Sequence, residues 1–226
     1  MTALSVVIPT LNAAASLART LDGLREWPAA QVVVVDGGSS DGTVALAQGR
    51  GLDVVGASRG RGIQLAAGAR AARGDWLLFL HADTVLAPGW RIRAETFIES
   101  SMAGGRACAG YFRFALDDDR PAARRLERMV AWRCRSLGLP YGDQGLLIAR
   151  ACYDAVGGFR PLPLMEDVDL ARRLGRSLLR PIDHPAITSA ARYRSAGYRR
   201  RSARNLLCLG LYFLGLPPGA LARIYR

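Results

Sequence analysis

Along the first third of the chain, short apolar runs alternate with segments of helical spacing. Ser5 to Ile8 is a β-branched run closed by Pro9, and Asn12 then stands as a helix N-cap before Leu17, Leu21 and Leu24 at i, i+4, i+7. Gln31 to Val35 is a continuous apolar strand that ends at Asp36, after which Gly-Gly-Ser-Ser-Asp-Gly leads into a short helix from about Thr43. Val54 and Val55 give a brief third strand. A helix of small residues follows from about Gly62 to Ala72, and Trp76 to Leu80 forms a fourth strand running into His81-Ala82-Asp83. The order β-α-β-α-β-α-β predicts parallel strands, right-handed crossovers and helices on both faces of the sheet.

The second half loses this rhythm. Ala109 to Leu116 alternates, with Phe112, Phe114 and Leu116 on one face, which suits a strand free to lie antiparallel. Pro121 opens a helix whose Leu126, Met129, Val130 and Arg133 share a face. A strand at Leu146 to Ile148, a short helix at Arg150 to Val156 and a helix at Glu166 to Leu174 follow. With no repeat and no low-complexity linker, the pattern predicts one α/β domain over residues 1–185 and a basic, apolar C-terminal extension over 186–226. The first half is expected to bind, the second to supply acceptor and catalytic parts.

With 50% hydrophobic and 22% charged residues, the composition excludes a disordered chain. The net charge of +12 is carried by arginine alone, since there is no lysine. Residues 1–110 hold ten Arg against nine acids, and residues 111–226 hold 21 Arg against ten, so the basicity belongs to the second half. Arginine pairs bidentately with phosphate, so that half suits a nucleotide diphosphate, a lipid phosphate or an anionic membrane face; a solvated surface and nucleic acid also match charge alone. Cys108, Cys134, Cys152 and Cys208 are widely spaced without a C-x-x-C, which predicts reduced core thiols in a cytoplasmic protein. The N-terminus has no positive region before its apolar run and reads as a first strand, not a signal peptide. Leu206 to Leu216, at 11 residues, is shorter than the roughly 20 a membrane span needs. Flanked by Arg192 to Arg204, it fits a helix lying in a membrane interface, and equally a core helix or a dimer face.

In an open parallel sheet, ligands bind beyond the carboxyl ends of the strands. Three such ends carry unusual residues: Pro9-Thr10-Leu11-Asn12, Asp36-Gly37-Gly38-Ser39-Ser40-Asp41-Gly42 and His81-Ala82-Asp83. Each has a plainer role available. Ser39 and Asp41 are turn formers, Asp83 a helix cap, His81 a hydrogen-bonded structural histidine, and Glu166 and Asp167 complement a helix N-terminus. Gly60-Arg61-Gly62-Ile63-Gln64-Leu65 begins like a dinucleotide fingerprint but has Leu65 in place of the third glycine, which weighs against a nicotinamide cofactor.

Taken together, the segments resemble the family 2 glycosyltransferases of the GT-A fold. The matching pieces are Val6 to Asn12, Val35 to Thr43, Gly74 to Asp83, Gly157-Gly158-Phe159 and Glu166-Asp167, in the family's order. His81-Ala82-Asp83-Thr84, Gly142-Asp143-Gln144-Gly145 and Met165-Glu166-Asp167 are closest to small bacterial members of the arsenosugar-biosynthesis type. The resemblance implies a nucleotide-diphospho-sugar transferase fold with a mostly parallel central sheet, and inverting transfer from a nucleotide diphosphate sugar, UDP-sugar favoured, to an acceptor hydroxyl.

It further implies that Pro9, Thr10, Leu11 and Asn12 touch the nucleotide, that Asp36 with Gly37 holds the base or ribose, and that Asp41 lies nearby. Asp83, after Ala82, is the last carboxylate of an Asp-x-Asp motif that binds Mg2+ or Mn2+ on the donor diphosphate. His81 replaces the first carboxylate, leaving the ion one direct protein carboxylate, with phosphate oxygens and water for the rest. Asp167 is the implied general base with Glu166 as its neighbour. Arg61 and Arg192 are electrostatic helpers, and Asp143 and Gln144 belong to the substrate site. Partners are thus the donor, an unidentified hydroxyl acceptor, a membrane surface or a second copy, and no nucleic acid, whose backbone the acidic cluster repels. The competing readings are a nucleotidyltransferase of similar architecture, which lacks its usual basic Gly-rich signature here, and a non-enzymatic anion- or membrane-binding module.

Overall fold

The computed structural model describes residues 3–104 and 108–225. Four parallel strands, β1 (Leu4–Thr10), β2 (Gln31–Asp36), β3 (Asp53–Gly56) and β4 (Trp76–Phe79), are joined by α1 (Ala14–Gly23), α2 (Thr43–Gly49) and α3 (Arg61–Ala71). Their side chains are apolar on both faces because helices cover both: β1 is buried at every position and β4 likewise. The chain continues through β5 (Thr84–Leu86), α4 (Trp90–Met102), β6 (Ala109–Leu116), α5 (Pro121–Leu137), β7 (Leu146–Ala149) and α6 (Arg150–Ala155). It ends with α7 (Glu166–Leu178), β8 (Leu179–Thr188), α8 (Ala191–Ala196), α9 (Tyr198–Phe213) and α10 (Pro218–Tyr225). All eight strands form one sheet in the order β3-β2-β1-β4-β7-β6-β8-β5, with four parallel and three antiparallel pairings.

Two apolar clusters sandwich the sheet. Leu17 and Leu21 of α1 pack with Trp90 and Ile98 of α4 on one face. Leu65 of α3, Val168 and Leu170 of α7, Cys208 of α9 and Leu221 of α10 pack on the other. The C-terminal helices are therefore part of the core, and the boundary expected at residue 185 falls inside β8, which pairs with β5 and β6 up to Thr188.

Four details depart from the sequence expectations. Helix α1 is capped by the loop after β2 and the first residue of α2, not by Asn12: Ala13 is its N-cap, its N–H donates to Thr43 Oγ1, and the Ala14 N–H donates to Asp41 Oδ2. Strand β6 is antiparallel to β7 but parallel to β8. Strand β8 went unread because Pro181 and Pro185 argue against a central strand. Its register breaks between Phe112 and Arg113 of β6, and this irregularity leaves Pro185 where no regular ladder has to continue. Finally, Cys108 and Cys152 form a disulfide across 44 positions, Cα to Cα 6.1 Å, while Cys134 and Cys208 are free and buried. The Ala149 N–H donates to the Cys108 carbonyl, which brings the start of β6 against the start of α6, a proximity that linear spacing does not reveal.

Candidate active site

The loops after β1 and β2 are tied into one unit. Asn12 adopts φ 50°, a left-handed conformation that Asn tolerates better than most residues. Its N–H donates to Ser39 Oγ at 2.8 Å, and its Oδ1 accepts from the Ser40 N–H at 2.9 Å. The Asp36 carboxylate accepts from Thr10 Oγ1 (3.0 Å), Ser39 Oγ (2.5 Å) and the N–H groups of Gly38 (2.9 Å) and Ser39 (2.8 Å). Burial would raise its pKa, but these bonds, led by Ser39, hold it below the ordinary value. Asp41 is exposed and its pKa is also lowered, chiefly by the Thr43 hydroxyl; its carboxylate serves the amides at the starts of α1 and α2. Beneath them lies Gln64, buried on α3, whose Nε2 donates to the carbonyls of Thr10 (2.7 Å) and Val35 (2.8 Å). A Cβ on Gly37 would meet that amide at 3.1 Å, so the close approach suits glycine. Sequence reasoning passed over Gln64, a lone amide among the small residues of α3.

Over the strand ends runs a groove of about 360 Å³. Pro9, Thr10, Leu11 and Asn12 line it, together with Arg61, Ala82, Asp83 and Arg192. Asp36, Gly37 and Asp41 do not line it. The groove opens into an inner cavity of about 90 Å³ that shares Arg61, His81, Asp83 and Arg192 with it and adds Asp143 and Asp167.

Asp167 sits in the first turn of α7, just after Met165, whose left-handed φ of 66° is unusual for a residue with a side chain. Its Oδ2 accepts the Gly142 N–H at 2.9 Å and its Oδ1 accepts the Val168 N–H at 2.8 Å, so the carboxylate is fixed at the cavity wall. Glu166 points elsewhere. It is fully buried with Arg61 Nε 2.8 Å from Oε1, and burial pushes its carboxyl up to about 7 against the pull of Arg61. It does not line the inner cavity.

Asp143, in the 3-10 turn Gly142–Gln144, has a buried Oδ1 without a hydrogen-bond partner. Burial pushes its carboxyl up to about 6; Arg133 opposes this, and Asp167 and Asp83 add to it. Gln144 is a strut of the same turn: its Nε2 donates to the Phe112 carbonyl at 3.0 Å and its Oε1 accepts from the Tyr141 N–H at 3.2 Å. It lines neither space. His81 abuts this turn so closely that a Cβ on Gly142 would meet its Nε2 at 2.5 Å. Its Nε2 is buried without a partner, and burial, with Arg61, drives the pKa down to about 3. A neutral imidazole thus stands where the Asp-x-Asp motif has its first carboxylate, and brings no charge to replace it.

Among the described residues nothing donates to the Asp83 side chain, and no three of His, Cys, Asp and Glu are grouped to hold a metal ion. The donor set, a free carboxylate at Asp83 and the unpartnered Oδ1 of Asp143, is of the hard oxygen type that Mg2+ and Mn2+ prefer. It fits an ion that arrives with a diphosphate and takes its other ligands from it.

The remaining wall is supplied by the C-terminal helices, which the sequence left as an extension. Tyr193 of α8, Arg201 and Asn205 of α9 and Tyr225 of α10 face the cavity. The Arg201 guanidinium lies 5.2 Å above the Tyr193 ring, and Arg204 lies 5.1 Å above Tyr225. The signal for these residues was weak: Arg201 and Asn205 are spaced i, i+4, but in an arginine-rich run that spacing marks no face.

Residues 5–162 match the family described as Glycosyl transferase family 2. No curated protein matches the chain. Its structure is similar to the mannosyltransferase PcManGT from Pyrobaculum calidifontis in complex with GDP-Man and Mn2+, with TM-score 0.67 and 20% identity over 99% of this chain and 68% of that one. It is also similar to Mycobacterium tuberculosis glucosyl-3-phosphoglycerate synthase bound to Mn2+, UDP and glucosyl-3-phosphoglycerate, with TM-score 0.59 and 18% identity over 91% and 79%. S. aureus TarS 1-349 with UDP-GlcNAc gives TM-score 0.61 and 15% identity over 99% and 70%. At these identities the likeness is one of fold, the GT-A fold.

Proposed function

This chain belongs to glycosyl transferase family 2, and from that premise we propose that it transfers a sugar from a nucleoside diphosphate donor to an acceptor hydroxyl with inversion at the sugar carbon. The observation that carries this reading is the pairing of a free carboxylate, Asp83, with a fixed one, Asp167, in a single cavity that opens from the groove over the strand ends. The groove takes the nucleotide, with Pro9 to Asn12 in its lining. Asp83 together with the donor's diphosphate oxygens would hold Mg2+ or Mn2+, whose chemistry when bound is to neutralise charge on the departing diphosphate. Arg192, which lines both spaces, adds to that neutralisation. Asp167 takes the proton from the acceptor hydroxyl as it attacks the face of the sugar opposite the leaving group, which inverts the centre.

Glu166 acts below this level, buried beside Asp167 and paired with Arg61, whose partly exposed side chain lines both spaces and adds positive charge there, and Asp36 and Asp41 act by shaping the nucleotide loops. The reading as an arsenosugar-type member rests on the residues of its three segments, which meet at one place in the structure. His81 touches Gly142, and Gly142 donates to Asp167. UDP-sugar remains the favoured donor on that resemblance.

The test is a thermal-shift screen of UDP- and GDP-sugars with and without Mn2+. Ligand at about 100 times its dissociation constant adds roughly 2.7 kcal/mol, and each kcal/mol moves the midpoint by about 2 to 4 °C for a chain of this length. No stabilisation by any nucleoside diphosphate, with metal present, would sink the reading.

A further inference from the structure

The face of α9 that turns away from the cavity is apolar and uncovered. Leu206 and Leu207 are 52% and 54% exposed, and Leu214, just past the helix end, is 85% exposed. With Ala203 and Gly210, also exposed, they recur at the three- and four-residue spacing of one helix face. Arg199 and Arg200 are exposed one turn before this strip. At its other end the Phe213 ring, half-exposed, carries the Arg172 guanidinium 5.1 Å above it. Helix α5, which packs beside α9, presents a second stripe of Arg125, Arg128, Met129, Trp132 and Arg135, in which Trp132 is 56% exposed. From His184 to the end the chain contains eight arginines and no acidic residue.

We propose that this surface docks on an anionic lipid bilayer, with the leucines of α9 in the headgroup boundary and the surrounding arginines on lipid phosphates. Leucines on one face with arginines around them is the pattern of an interfacial helix, and Trp is a residue that favours the same boundary. Among the described residues no helix is long and apolar enough to cross a membrane, so the contact is peripheral. A second copy of the chain is a poorer occupant. An isologous pairing through this strip would bring Arg199 and Arg200 of both copies into the interface with no carboxylate on the strip to offset them. Nucleic acid would use the arginines but leave the leucines in water.

The geometry gives the contact a use. The inward side of α9 carries Arg201 and Asn205, which line the inner cavity. Docking therefore sets that cavity about one helix diameter, roughly 10 Å, from the headgroups. On the transferase reading, the acceptor hydroxyl is then presented from the lipid surface.

The experiment is co-sedimentation of the full chain with vesicles of equal parts phosphatidylglycerol and phosphatidylcholine, and with pure phosphatidylcholine, across a salt series. We expect binding to the anionic vesicles that weakens with salt, and a drop of at least about tenfold in partitioning for Leu206→Glu with Leu207→Glu. Both side chains are half-exposed, so circular dichroism and the melting midpoint should not change. Arg199→Glu with Arg200→Glu should give a similar loss. Protein that ignores anionic vesicles at low salt overturns the proposal. So does undiminished binding by the leucine variant, a dimer that the leucine change dissociates without altering vesicle binding, or binding to duplex DNA in place of vesicles. Calorimetry with UDP and Mn2+ separates this from the transferase reading, because donor affinity should be the same in every variant.

Discussion

The nucleotide loops and the inner cavity are both polar, but their polar atoms are in opposite conditions. Around Asp36 the partners are protein groups: the carboxylate accepts four hydrogen bonds, Asn12 is bonded through its amide N–H and its side chain, and Asp41 ties two helix starts. In the cavity, His81 Nε2 and Asp143 Oδ1 are buried without a partner, and nothing among the described residues donates to Asp83. A saturated loop keeps its shape whether or not ligand is present. Buried groups without partners cost about 1 to 3 kcal/mol each, which a ligand that satisfies them returns as binding or catalysis. On the proposed transferase reading, the donor side acts through geometry, and the cavity through groups whose partners arrive with the substrates.

The largest expected effect breaks the cavity side alone. Asp167→Asn keeps an acceptor for the Gly142 N–H but loses basicity, so kcat should fall by about 10² to 10⁴ with donor affinity nearly unchanged. A rate within a few fold of wild type, with a working acceptor, would move the base elsewhere. Next in size is Asp83→Asn. Mn2+-dependent affinity for UDP should fall at least about tenfold, a loss of about 1.4 kcal/mol, while affinity without metal stays as it was. Calorimetry of both proteins with and without Mn2+ decides it, and equal metal dependence removes Asp83 from the site.

The same contrast explains what could be read from the chain. The four parallel strands, the helices between them and the segments around Asp83 and Asp167 are local patterns, and each lies where its sequence put it. Helix α7 even keeps helical geometry only up to Leu174, where the pattern ended, before Gly175 breaks it with a φ of 67°. What escaped is long-range. Gln64 matters because two strand carbonyls come to it, and Tyr225 because α10 folds back over the cavity. The Cys108–Cys152 pair depends on a contact between β6 and α6. Strand β8 hides its role behind two prolines, of which Pro185 sits at the break in its register with β6.

A third prediction sharpens the claim that the nucleotide loops act by shape. Asp36→Ala leaves four donors without their acceptor, so stability should fall by about 1 to 3 kcal/mol, or roughly 2 to 12 °C, and the donor KM should rise with it. A raised KM at an unchanged melting midpoint would mean that Asp36 contacts the nucleotide directly and that the loop does not depend on it.

The smallest effect concerns Asp143, and its sign follows from the direction of its shift. Its folded pKa is raised from the ordinary 3.8 to about 6, so the folded protein holds the proton more tightly than the unfolded chain does. The stability this brings is fully present below pH 4 and is lost as pH rises through 6. Asn resembles the protonated acid and cannot ionise. Asp143→Asn should therefore match wild type near pH 3.5 and exceed it at pH 7.5, with the difference opening between about pH 4 and 6. At about 1.4 kcal/mol per pH unit the rise caps the gain near 3 kcal/mol, and the partial exposure of Asp143 brings it to about 1 to 2. Glu166 tilts the curve the same way and His81 the opposite way, but both are common to the two proteins and cancel in the comparison. Melting midpoints across the pH range, with EDTA present, check this. A variant less stable than wild type at pH 7.5 would mean that the folded protein stabilises the Asp143 carboxylate. Asp143 would then belong with the saturated loops, not with the groups that await a substrate.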